Sequence, residues 1–171
     1  MVPGGSIIIG VMGPGETASP EVNNLAYELG KEIARHGWAV LSGGRSFGVM
    51  DASMRGATEH GGLTIGVLPS DDGKEVSPHA KIRIITGMGS ARNYINILSS
   101  HVIVVCGIGA GTASEIALAL KSNKKVILLQ PDKMTFDFFK KIGDYKINAA
   151  ENVAEAIHMI QNYLAQNQKR N

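Results

Sequence analysis

The chain has 171 residues, of which 44% are apolar and 19% charged, and its formal net charge is +2. This balance is that of a folded globular protein and excludes extensive disorder, and the length suits one domain over residues 1–171. The charge does not indicate nucleic-acid binding, because no stripe of Lys or Arg accompanies it, and the basic pair Lys169-Arg170 is interpreted as a solvated end.

The cysteine and histidine content argues against disulfides and metal ligation. Cys106 is the only cysteine, which excludes an internal disulfide within one chain, and we interpret it as a small buried hydrophobe. The five histidines have no ligand spacing, so we expect no metal site. No apolar stretch approaches the ~20 residues of a membrane span, and no basic segment followed by a long hydrophobic one opens the chain. We therefore expect a cytoplasmic protein without membrane contact.

Short apolar runs alternate with helical patterns along the whole chain. The first predicted helix begins with Ser19 as N-cap, Pro20 at the first helical position and Glu21 in the first turn. A polar stretch, residues 70–79, is predicted to be a surface excursion. The predicted strands are 6–12, 38–41, 63–68, 81–86, 101–106, 126–130 and a seventh near 145–147, and the later helices are 49–59, 90–99, 112–121, a short one from Phe136 and a closing one with Val153, Ala156, Ile157, Ile160 and Leu164 on one face.

The alternation of strands and helices predicts an α/β fold. The strands are continuous runs of Val and Ile, which is typical of strands buried on both faces of a parallel sheet. We therefore expect a doubly wound parallel sheet of about six to seven strands with helices on both faces. In such a sheet the ligand binds outside the carboxyl ends of the strands, where the glycine-rich turns of this chain lie.

Three glycine-rich turns converge on that edge, and each precedes a predicted helix. Backbone N–H groups at a helix start favour an anion, and glycine lets the ligand approach the backbone closely, so we expect a phosphate-bearing small molecule. A tight turn needed only for packing remains the alternative for any one of them. The candidate ligand-binding residues of these turns are Gly13, Gly15, Gly43, Gly44, Arg45, Ser46, Gly48, Gly107, Gly109, Ala110, Gly111 and Thr112.

Arg92 and Glu115 lie near the starts of two helices at the same edge. A carboxylate there can simply complement the helix dipole, whereas an arginine there is electrostatically misplaced and needs an anion nearby. Adjacent helix starts can bring the two side chains together, so that Arg92 holds an anion and Glu115 assists proton transfer.

The residues present argue against three familiar cofactor sites. Ala113 stands where a P-loop would have its lysine, and Ser42-Gly43 stands where an NAD-binding strand would end in an acid. No lysine lies at a glycine turn on the edge, and a pyridoxal enzyme needs a buried lysine for its Schiff base, so we do not expect a pyridoxal-dependent decarboxylase.

The motifs of residues 43–50, 88–92 and 109–115, within a match from Ile7 to about Gln130, resemble the LOG superfamily, many members of which are labelled "lysine decarboxylase-like". The resemblance implies a Rossmann-like fold, a homodimer or homotetramer, and hydrolysis of the N-glycosidic bond of cytokinin nucleoside monophosphates or AMP. It places Arg92 and Glu115 on the catalytic arginine and glutamate of that family, and adds Met88 to the candidate binding residues.

The loop Gly107-Ile108-Gly109 departs from the Pro-Gly-Gly loop of the hydrolases and is similar to that of the molybdenum cofactor carrier proteins. That branch binds a phosphate-bearing pterin with molybdenum, so the resemblance implies molybdenum cofactor as cargo. A carrier and a nucleoside 5'-monophosphate phosphoribohydrolase are both open hypotheses here, and they differ in whether Glu115 acts. A structural oligomer with a vestigial pocket is the third.

Overall fold

The computed structural model describes residues 6–168, and the basic pair Lys169-Arg170 lies outside them. All seven strands form one parallel sheet in the order β4-β3-β2-β1-β5-β6-β7. The elements are β1 (Ile8–Met12), α1 (Pro20–Arg35), β2 (Ala39–Ser42), α2 (Gly48–Glu59), β3 (Thr64–Leu68), β4 (Ile82–Ile85), α3 (Arg92–Ser99), β5 (Val102–Cys106), α4 (Ala110–Lys121), β6 (Lys125–Leu129), α5 (Lys133–Gly143), β7 (Ile147–Ala150) and α6 (Val153–Gln168), with 3-10 turns at Gly89–Ala91 and Asp144–Lys146.

The sheet separates two hydrophobic cores, as the prediction of helices on both faces requires. One core lies under α1, α2 and α6, and the other under α3, α4 and α5. Alternate residues of β5 serve the two cores: Val104 packs into the first and Ile103 into the second. The Rossmann-like doubly wound parallel sheet is thus confirmed. Cys106 is fully buried in the first core, and burial raises the pKa of its thiol to about 12, which confirms it as a small hydrophobe.

Helix starts follow the capping signals where these are strong. Ser19 accepts a hydrogen bond from the Val22 amide at 3.3 Å, which confirms the predicted start of α1. Helix α5 begins at Lys133, three residues before the expected Phe136, because the Asp132 carboxylate caps it by accepting from the Thr135 amide at 2.9 Å.

Helices α1 and α2 approach each other so closely that only glycine fits at two positions. A Cβ atom at Gly30 would collide with the carbonyl oxygen of Ser53, and one at Gly56 would collide with that of Tyr27. This contact fixes how the two helices cover the first core.

The polar excursion of residues 70–79 is anchored to the turn between β2 and α2. The Ser46 amide donates to the Glu75 carbonyl and the Ser77 amide to the Gly44 carbonyl, each at 2.8 Å. The Ser77 hydroxyl is fully buried and donates to Asp51 Oδ1 at 2.7 Å. The excursion and the turn therefore form one unit beside the carboxyl ends of the strands.

No helix within residues 6–168 combines the length and the hydrophobicity that a membrane crossing requires.

Candidate functional site

The carboxyl edge of the sheet has a topological switch point at β1. Strands β2 and β5 flank β1, so the chain leaves β1 in one direction and returns on its other side. The glycine turns after these three strands meet there and enclose a cavity of about 480 Å³. This size lies within the range of small-molecule sites, and the position is where doubly wound sheets bind ligands.

Most of the predicted site residues line this cavity. They are Gly13, Gly15, Gly43, Arg45, Arg92, Gly109, Ala110, Gly111, Thr112 and Glu115. The three turns and the two ionisable side chains that the sequence suggested are thus brought to one place.

Five predicted residues lie beside the cavity without lining it. Gly44, Gly48 and Gly107 have positive φ angles and shape the turns, the Ser46 amide is bonded to the excursion, and the Met88 side chain is half exposed. Ligand contact by these five residues stays a prediction.

Arg92 is the first residue of α3 and is only 8% exposed, although it carries a positive charge. Its Nε and Nη1 atoms find no hydrogen-bond partner among the residues that the structure describes. Burial lowers the pKa of Arg92, and the positive charge of Arg45 also lowers it, whereas the charge of Glu115 raises it. Arg92 nevertheless keeps its positive charge, because a guanidinium stays protonated in proteins. A buried cation with free donors at a cavity wall is suited to an anionic ligand.

Glu115 lies in the second turn of α4 and is 7% exposed. Burial raises the pKa of its carboxyl to about 7, while the Arg92 charge and then the neighbouring Asn96 amide act in the opposite direction. Within residues 6–168, no ion pair of 4.0 Å or less joins Glu115 to Arg92. The carboxyl therefore changes its charge near neutral pH, which suits proton transfer.

The start of α4 supplies the anion-binding backbone of the site. Gly109 is its N-cap, and no side chain caps the first turn. A Cβ atom at Gly109 would approach only Pro14 and Thr112, at 3.6 Å and 3.9 Å, and one at Gly111 would meet no atom within 4 Å. The space over this turn is thus open to a ligand whose negative charge the helix start favours.

Sequence reasoning missed several residues of the site. Pro69, Ser90 and Asn93 line the cavity, and Asn96 lies behind Glu115 with both amide atoms buried and without partners among the described residues. A signal for Asn96 was present, because it follows Arg92 by four residues and so shares its helix face. No lysine within residues 6–168 lines the cavity, and no three His, Cys, Asp or Glu side chains there are grouped for a metal ion.

Comparison with known proteins assigns the chain to a family. A model of the SLOG cluster4 family matches residues 6–157. The chain belongs to this SLOG family. This match confirms the resemblance to the LOG superfamily, which the glycine and arginine motifs indicated.

Two solved structures are similar to this SLOG protein over nearly their full length. The molybdenum cofactor binding protein of Rippkaea orientalis is 47% identical, with a TM-score of 0.92, and the match covers 94% of this chain and 98% of that one. The molybdenum cofactor carrier protein of Chlamydomonas reinhardtii is 48% identical, with a TM-score of 0.90, over 94% of this chain and 99% of that one.

A shorter match reaches the hydrolase side of the superfamily. The cytokinin riboside 5'-monophosphate phosphoribohydrolase of Mycobacterium marinum is 42% identical over 50 residues, which are 29% of this chain and 27% of that enzyme.

Proposed function

We propose that this protein binds and carries a phosphate-bearing small molecule, and that this molecule is molybdenum cofactor. The observation that carries the proposal is the similarity over 94% of the chain, at 47% and 48% identity, to proteins named for binding and carrying that cofactor. The carrier hypothesis, which rested on the Gly107-Ile108-Gly109 loop, thereby gains support along nearly the whole chain.

The cavity has the chemistry that a phosphorylated pterin needs. The open backbone at Gly109 and Gly111 and the unpaired donors of Arg92 suit the phosphate. Apolar walls at Pro14 and Met50 suit a flat ring, in the mixed lining typical of small-molecule sites. The residues present thus fit a phosphate-bearing heterocycle of modest size.

Direct binding of the cofactor tests the proposal. Cofactor released from a purified molybdoenzyme is mixed anaerobically with the full chain and separated by gel filtration. Pterin fluorescence after oxidation and molybdenum mass spectrometry then locate it. We expect both signals in the protein fractions. Elution of both only with small molecules, at high micromolar protein, would contradict the proposal.

A matched pair of variants on α4 shows whether the cavity holds the cofactor. Gly111→Leu places a side chain at the cavity, where its Cβ would meet no atom within 4 Å, while Ala117→Leu adds the same side chain at an exposed position of the same helix. We expect Gly111→Leu to release the cofactor and Ala117→Leu to retain it. Equal retention by both variants would place the binding elsewhere.

A second candidate function is hydrolysis of a nucleoside 5'-monophosphate. The observation that favours it is the buried Glu115 carboxyl beside Arg92, with a pKa raised to about 7 by burial. In this hypothesis Arg92 holds the phosphate and Glu115 assists proton transfer while water cleaves the N-glycosidic bond. Both hypotheses use one cavity, and they differ only in whether Glu115 acts.

Base release decides between the two. The protein is incubated with AMP and with a cytokinin riboside 5'-monophosphate, and the free base is measured by chromatography. A hydrolase releases base in the wild type and loses this activity in Glu115→Ala. If the wild type releases no more base than Glu115→Ala, the hydrolase hypothesis is rejected.

We further propose a cytoplasmic homodimer or homotetramer, as the family resemblance implies. Light scattering of the purified chain gives its mass in solution and tests the assembly. A monomer at micromolar concentration would contradict it.

A further inference from the structure

Arg45 lines the same cavity as Arg92, but its guanidinium is already occupied. Nε donates to Glu75 Oε2 at 2.8 Å, and Nη2 donates to Glu16 Oε1 at 3.4 Å, which is long for a charged hydrogen bond. The guanidinium carbon also lies 5.1 Å from the centre of the Phe47 ring. Of the two carboxylates, only Glu16 lines the cavity.

The two carboxylates are attached to the protein differently. Glu75 belongs to the excursion that is hydrogen-bonded to the turn carrying Arg45, and Arg45 itself forms an antiparallel bridge with Val76. The backbone of Glu75 is therefore fixed relative to Arg45, while its side chain is 53% exposed. Glu16 lies on the separate turn after β1, and its side chain is 67% exposed. Glu16 is the partner that can be exchanged at small cost, since exposed ion pairs contribute little.

The cavity thus holds two cations in different states. Arg92 is buried and has free donors, whereas Arg45 sits nearer solvent with one firm partner and one loose one. The two positive charges repel across the cavity, and an anion between them or at each relieves this repulsion. A ligand with a single anionic group satisfies Arg92 and leaves Arg45 with Glu16.

We propose that Arg45 binds a second anionic group of the ligand, and that Glu16 occupies this position until the ligand displaces it. The ligand class is then a small molecule with two separated anionic groups, one of them a phosphate. The inference rests on the proposed function in using the same cavity, and it makes Arg45 a specificity-determining residue within it.

The ratio of affinities for ligands with two anionic groups and with one tests this inference. Inorganic phosphate, pyrophosphate and ribose 1,5-bisphosphate are titrated calorimetrically into the full chain at pH 8. We expect the wild type to bind one of the two-anion probes about tenfold or more tightly than phosphate, which corresponds to about 1.4 kcal/mol. Arg45→Gln should bring this ratio close to one, and Glu16→Gln should raise it above the wild-type value.

Charge-matched controls separate a specific contact from a general field. Arg35→Gln and Glu21→Gln make the same charge changes at exposed residues of α1, and neither residue lines the cavity. We expect both to keep the wild-type ratio. The inference is overturned if the controls change the ratio as much as the Arg45 and Glu16 variants do. It is also overturned if Arg45→Gln leaves the ratio unchanged, or if neither two-anion probe binds the wild type.

The outcomes distinguish this inference from the carrier proposal. Loss of the ratio in Arg45→Gln together with failure to retain molybdenum cofactor would support the two-anion site and reject that cargo. If the protein retains the cofactor and the affinity ratio does not change in the Arg45 and Glu16 variants, the carrier proposal is supported and the two-anion site is rejected.

Discussion

The guanidinium group of Arg92 lies against Gly43, in the space that a side chain at position 43 would occupy. A Cβ atom there would clash with Nη1, lie 2.7 Å from Nη2 and lie 2.5 Å from the Met50 sulfur. The turn after β2 therefore leaves the space that the Arg92 side chain of α3 occupies. The Gly43 turn and Arg92 thus depend on each other for their positions in the site. Gly43 has no positive φ angle, so the absence of a side chain, rather than the backbone conformation, is what the position requires.

Gly43→Ala is expected to weaken anion binding without unfolding the protein. The atoms that must move are the ends of two flexible side chains, so the fold tolerates the change while Arg92 leaves its position. We expect phosphate affinity to fall about tenfold, since a charged hydrogen bond contributes about 1.5–3 kcal/mol. Calorimetric titration with phosphate measures it.

Gly15→Ala is the matched control, because Gly15 lines the same cavity. A Cβ atom added at Gly15 would lie 3.3 Å from the Met50 methyl group and would not come within 4 Å of Arg92. Equal affinity losses in the two variants would show that the seating of Arg92 is not what matters.

Glu115 should make the stability of the protein fall as pH rises. Burial raises the pKa of its carboxyl from 4.5 to about 7, so between these values the folded state binds more protons than the unfolded state. The contribution of Glu115 to the free energy of unfolding is therefore fully present below pH 4.5 and is lost as pH rises through 7. The total change in this free energy is up to about 3 kcal/mol.

Urea unfolding at pH 5 and pH 8 measures this difference in the wild type and in Glu115→Gln, which cannot titrate. We expect the free energy of unfolding to fall more between the two pH values in the wild type than in the variant. Parallel pH profiles would show that Glu115 titrates near its ordinary value in the folded protein.

Anion affinity should fall with pH for the same reason. When Glu115 ionises, its carboxylate competes with the ligand for Arg92, whose charge acts directly on it. Sulfate is the appropriate probe because it keeps its charge between pH 6 and 8. We expect the affinity for sulfate to fall by up to about tenfold across this range. This is the change expected if sulfate binding raises the pKa of Glu115 by about one unit. An equal fall in Glu115→Gln would assign the effect to another group.

The close crossing of α1 and α2 gives a stability prediction away from the site. Gly30→Ala places a methyl group against the Ser53 carbonyl and forces the helices apart, which we expect to cost about 1–3 kcal/mol. Asn24→Ala, at an exposed position of the same helix, is the control and should change stability little. Thermal unfolding compares the two, and an unchanged melting temperature in Gly30→Ala would contradict the expected strain.

The sequence predicted the strands and the glycine turns because these depend on local patterns. Runs such as residues 102–106 contain mostly Val and Ile, and glycine followed by a helical pattern indicates a turn at the carboxyl edge. Arg92 and Glu115 could be placed at one edge for the same reason, since each lies near a helix start. Their common cavity then followed from the topology.

Other parts of the site depend on contacts between distant segments, which no local pattern contains. Pro69 reaches the cavity from the end of β3, and the hydrogen bond from Ser77 to Asp51 joins residues 26 apart in the chain. The position of Glu16 beside Arg45 depends on how the turns after β1 and β2 approach each other. The spacing of four residues from Arg92 could have placed Asn96 on the same helix face, but the lack of partners for its buried amide among the described residues became visible only in the structure.

The hydrogen bonds between the excursion and the β2–α2 turn make backbone amides into reporters of occupancy. The Ser46 and Ser77 amides exchange with solvent deuterium only when the excursion separates from the turn. A ligand held by both Arg45 and Arg92, as we propose, links that turn to the start of α3, so we expect separation to become rarer. Deuterium uptake at these two amides should slow when the cavity fills, which lets mass spectrometry follow binding and release of a ligand that carries no label.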